Sequence, residues 1–92
     1  MLDPSLPGAD LVEKGIDDLS RGIESVESLL VSIGAPRLRS RAGLVVTGDI
    51  ANPESRLYEL LAETDSDSAH SRYNALIRRL VSFERAAECA SP

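Results

Sequence analysis

The sequence predicts an all-α fold: a small three-helix bundle or helical hairpin with a short middle helix. Three observations lead there. From Asp10 to Gly34 the apolar residues Val12, Ile16, Leu19, Ile23, Val26, Leu30 and Ile33 recur in alternating steps of 4 and 3. From Ala69 onward Tyr73, Leu76, Leu80, Phe83, Ala87 and Ala90 repeat the same steps. Both are heptad seams on helices and neither is a strand pattern. Finally, 42% of residues are hydrophobic but only 3% aromatic, so the core is aliphatic and suited to helix–helix packing. Ninety-two residues make a single domain near the lower limit for an independent core.

Pro4, Pro7 and Gly8 make residues 1–9 an irregular lead-in. The first helix is expected over 10–33. Asp10 can cap it with Glu13 in capping-box spacing, Gly34 suits a left-handed terminus, and Pro36 forbids continuation. Leu11 and Leu29 widen its seam. Gly15 and Gly22 each cost about 1 kcal/mol relative to alanine in a helix interior, so another backbone is expected to approach that flank closely. Gly15, Gly22, Leu11 and Leu29 are therefore the candidate interface.

Residues 35–51 are expected to be irregular or a short strand, forming an extended arginine-bearing loop. Arg37, Arg39 and Arg41 alternate, so in an extended chain all three project to one side. Such a set could grip phosphates or an acidic partner. The reading favoured over that is that they neutralise the acidic first helix of this chain or of a second subunit. Leu44 to Thr47 could be a strand, and would then need a symmetry mate. Asn52-Pro53-Glu54 then starts a second helix over 53–63, burying Leu57, Leu60 and Leu61. Thr64 to Ser68 stop it and cap a third helix over 69–88. That helix is basic (Arg72, Arg78, Arg79, Arg85) where the first is acidic. The first and third are therefore expected to form the main antiparallel contact, with Leu19, Ile23, Val26 and Leu30 against Leu76, Leu80 and Phe83.

Chemistry-bearing constellations are sparse. His70 and Cys89 stand 19 residues apart on one expected helix, too far to act together. Asp65-Ser66-Asp67 opens like a calcium loop, but His70 falls where glycine is needed and Leu76 where the bidentate glutamate is needed. Leu57, Leu60 and Leu61 match a leucine-rich docking spacing and are assigned to the core. No catalytic, metal or cofactor site is expected, and no enzyme. The net charge of −5 argues against a general nucleic-acid binder. The N-terminal residues lack the basic and apolar regions of a signal peptide, and no apolar run is long enough to span a bilayer. A cytoplasmic location is expected.

The expected function is that of a small, non-enzymatic helical interaction protein. It would self-associate as a homodimer, or dock on a larger protein, through its heptad-patterned faces. The alternative is a dimeric DNA-binding regulator of antitoxin-like type. Over roughly 37–88, the alternating arginines and the order strand, helix, helix resemble the ribbon-helix-helix family. That resemblance implies a two-stranded ribbon, paired with its symmetry mate and presenting Arg37, Arg39 and Arg41.

Overall fold

Gly22 divides the long first seam in two. The computed structural model describes residues 5–90. It places four α-helices in order: α1 (Ala9–Ser20), α2 (Val26–Ser40), α3 (Pro53–Thr64) and α4 (Ala69–Ala90). Among the described residues there is no β-strand. The expected lead-in at 1–4 and the side chain of Ala90 fall outside that description.

The single helix expected over 10–33 is thus a hairpin of two, and local chemistry explains why. Gly22 adopts φ 70, in the left-handed region that glycine enters at no steric cost. Its N–H donates to the Leu19 carbonyl (3.1 Å) and the Ile23 N–H donates to the Asp18 carbonyl (2.8 Å). Together they close α1 in a Schellman motif. Three residues later Ser25 opens α2 with a reciprocal capping box, its Oγ accepting from the Ser28 N–H (3.0 Å) while Ser28 Oγ accepts from the Ser25 N–H (2.7 Å). A stop followed at once by a start outweighs an unbroken apolar period. Ile23, expected among the most buried residues, sits in the turn and is 46% exposed.

The other expected boundaries of that helix move too. Gly8 is the N-cap of α1, and Asp10 lies within the first turn. Gly34 and Pro36 do not end the chain's second helix, which continues to Ser40 with Pro36 inside it. Pro36 removes one ladder hydrogen bond. The last turn nevertheless persists, because Leu38 is fully buried and Arg37 pairs with Glu84 on α4 (3.0 Å). Gly34 is required for packing: an added Cβ would lie 2.8 Å from Glu84 Oε2 and 3.1 Å from both Leu80 methyls.

Every residue from Ser28 to Ser32 is buried, so α2 is enclosed nearly all round and forms the centre of the molecule. Leu29, Leu30, Val31 and Leu38 share one core with Val12 and Leu19 of α1, Leu57 and Leu61 of α3, and Leu80 and Phe83 of α4. The main antiparallel contact is α1 folded back on α2, not the first expected helix on the last. At its crossing an added Cβ on Gly15 would overlap Val31 Cγ2 and the Glu27 carbonyl. Asp18 ties the hairpin further, accepting from Ser25 Oγ (2.6 Å) and Lys14 Nζ (2.7 Å). By contrast α2 and α4 run in the same direction. Gly34 meets Leu80 and Glu84, Arg37 meets Glu84, and Arg41 approaches Glu88 (3.9 Å).

The two later helices lie where the sequence puts them, α3 ending one residue beyond expectation and α4 reaching Ala90. Ala69, Leu80 and Phe83 are buried, and Tyr73, Leu76 and Ala87 partly so, in keeping with one continuous face. Among the described residues no helix is long and apolar enough to cross a membrane.

Candidate docking site

The candidate interface residues of the first seam are scattered by the hairpin. Gly15 and Leu29 are buried, Leu11 is partly buried, and Gly22 lies in the exposed turn. The arginines are scattered as well. Arg37 and Arg39 belong to the last turn of α2 and Arg41 follows it, so the extended loop begins later than expected. At about 100° per residue, Arg37 and Arg41 share the side facing α4, while Arg39 points away from them. Their partners are not the acidic first helix. Arg37 pairs with Glu84, Arg41 approaches Glu88, and Arg39 pairs with Asp49 (2.6 Å). His70 and Cys89 are exposed on one unbroken helix, about 28 Å apart along its axis.

Arg39 organises the connection between α2 and α3. Its Nε and Nη2 both donate to the Val46 carbonyl (3.1 and 2.8 Å) while Nη2 reaches Asp49 Oδ1. The guanidinium holds the Asp49 carboxyl below its ordinary range, with a smaller contribution from a backbone hydrogen bond. The Leu44 N–H donates to the Leu38 carbonyl (3.0 Å), and the Ile50 N–H to Ser32 Oγ (3.0 Å). Gly48, at φ 78, lets the loop pass against α1, where an added Cβ would lie 2.9 Å from the Leu19 carbonyl. Beyond the loop, Arg56 of α3 reaches back to Glu24 (2.8 Å), an ion pair that no local sequence pattern announces.

Within this pinned loop, burial alternates: Leu44 is half-buried, Val45 exposed, Val46 buried and Thr47 exposed. That is the period of an extended backbone. In such a backbone the N–H and C=O of successive residues point to opposite edges. The Leu44 N–H and the Val46 C=O, which share an edge, are the groups bonded to α2 and Arg39. The opposite edge presents the N–H and C=O of Val45 and Thr47, which have no hydrogen-bond partner among the described residues. The Val45 side chain is 79% exposed, the most exposed large apolar residue described. From Ala42 to Gly48 there is no charged residue. The sequence signal for this edge was the β-branched run between Gly43 and Gly48. What it could not reveal was that Arg39 would hold the inner edge.

Set against known proteins, the chain matches no family model, no curated protein and no solved structure. Its class rests on the fold described above: a small all-α protein whose central helix carries a clamped, partly extended loop.

Proposed function

We propose that this chain is a small, non-enzymatic, cytoplasmic interaction protein that binds a protein segment in extended form along the Val45–Thr47 edge. The observation that carries the reading is the asymmetry of that segment: the Leu44 N–H and the Val46 C=O are bonded to the fold, whereas neither Val45 nor Thr47 has a backbone partner among the described residues, and the Val45 side chain is exposed beside them. Strand addition gains main-chain hydrogen bonds along an open edge and specificity from alternate side chains. Exposed edges in proteins that avoid such pairing carry lysine, proline or inward charges. Here there are none between Ala42 and Gly48.

Leu30, Leu80 and Phe83 of the two apolar seams are buried within the chain itself. Docking is therefore assigned to the loop. The test is a titration of short, extended, valine-rich peptides, and of the chain itself at rising concentration, with Val45→Asp alongside. Val45→Asp should leave the melting temperature unchanged and remove binding. A wild-type chain that binds no such peptide and keeps a constant mass at all concentrations contradicts the reading.

A further inference from the structure

We infer that the segment this edge takes up is the same segment of a second copy, paired antiparallel about a two-fold axis through Val46. The inference rests on the docking reading above and adds the partner and the register. The open edge presents Val45 and Thr47, each with one donor and one acceptor. An antiparallel pair joins such residues through reciprocal N–H···O=C bonds. With the axis at Val46, Val45 lies opposite the partner copy's residue 47, and residue 45 of that copy lies opposite Thr47. The N–H and C=O of Val45 and of Thr47 in each chain are then all satisfied. A two-fold interface must be complementary to itself, and this edge is.

Charge points the same way. Each copy carries a net charge of −5, which opposes association at long range. The edge, however, has no charged side chain from Ala42 to Gly48, and its flanking ions Arg39 and Asp49 neutralise each other. Two copies can therefore meet here without like charges in contact. A ribbon of this length is marginal alone, so the dimer forms and dissociates with concentration. Added salt strengthens it by screening the net charge, whereas a basic partner would be released by salt.

Cysteine cross-linking tests the register, in the full-length chain with Cys89→Ser to remove the native thiol. Val45→Cys and Thr47→Cys are made as separate proteins and oxidised alone and mixed. In the inferred pair, residue 45 and the opposing residue 47 have Cα atoms about 5.5 Å apart, within disulfide range. Equivalent residues lie roughly 7 Å further along the strand and cannot be bridged. The expected result is a disulfide heterodimer in the mixture that exceeds either homodimer about tenfold or more. Sedimentation of the wild type should show a mass that rises with concentration and with salt.

A heterodimer no more abundant than the homodimers overturns the register. A strict monomer that still captures valine-rich peptides overturns the second copy as partner and leaves the docking reading standing. A monomer that captures nothing overturns both. Val45→Asp should weaken the dimer about tenfold or more while the helical signal is unchanged, and a dimer unaffected by it belongs to another face and overturns the inference.

Discussion

Two stretches of this chain carry the same heptad steps, Val12 to Ile33 and Ala69 to Ala87, yet one folds as a hairpin and the other as a single helix. The hydrophobic period does not distinguish them. The difference lies in three residues: Gly22 in a left-handed conformation and Ser25 and Ser28 in a capping box, which α4 has nowhere along its length. Period reports which residues face a core. Capping chemistry decides where a helix stops, and each cap is worth about 1 kcal/mol or more. The hairpin then gains further: it brings Gly15 against α2 and helps bury every residue from Ser28 to Ser32.

Truncation at two seam positions gives the largest contrast. Leu30 is fully buried in α2, so Leu30→Ala should cost about 2–5 kcal/mol. Ile23 occupies an equivalent seam position and is 46% exposed, so Ile23→Ala should cost no more than about 0.5 kcal/mol. Equal losses in denaturant melts would mean the first seam is continuous after all.

The two glycines come next. Gly15→Ala should destabilise by about 1–3 kcal/mol, because the new methyl overlaps Val31 and the Glu27 backbone. Gly22→Ala meets nothing within 4 Å, and its cost of about 1–2 kcal/mol comes from the left-handed backbone alone. A rise in melting temperature for Gly22→Ala would restore the unbroken helix. Gly22→Asn should recover part of the loss, since asparagine tolerates that conformation.

A smaller effect is expected from acid. Lys14 first and Ser25 second hold the Asp18 carboxyl below its ordinary 3.8, and Arg56 holds Glu24 below its ordinary 4.5. In both cases the unfolded chain takes up the proton at higher pH than the folded one. Their contribution to stability is thus complete above about 4.5 and declines as pH falls through the lower, folded values. Ser25→Ala should reduce that acid dependence, measured as melting temperature against pH, while the corresponding Ser68→Ala before α4 should not.

The same comparison shows what the sequence could convey. The start of α3 at Pro53 and the face of α4 were legible, because a strong local start and an uninterrupted period agreed there. Gly34 and Pro36 misled because tertiary contacts overrode them: Gly34 makes room for Leu80 and Glu84, and Leu38 and Arg37 hold the last turn beyond the proline. Arg37, Arg39 and Arg41 misled for the same reason, since period-two spacing means a shared side only in extended backbone. The Leu44 to Thr47 run reads in the sequence as an extended loop or a short strand that would need a mate, and in the fold it is a loop. Its open edge became visible only with Arg39 bonded to the Val46 carbonyl.

The most direct measurement is residue-resolved amide exchange across the loop, in dilute and in concentrated protein. In dilute protein the Leu44 amide, bonded to Leu38, should exchange slowly, and the Val45 and Thr47 amides should exchange as freely as exposed chain. In concentrated protein the Val45 and Thr47 amides should slow together while Leu44 stays as it was. A Leu44 amide exchanging as fast as Val45 in dilute protein, or Val45 and Thr47 amides indifferent to concentration and to added valine-rich peptide, would contradict a clamped segment built to be paired along its open edge.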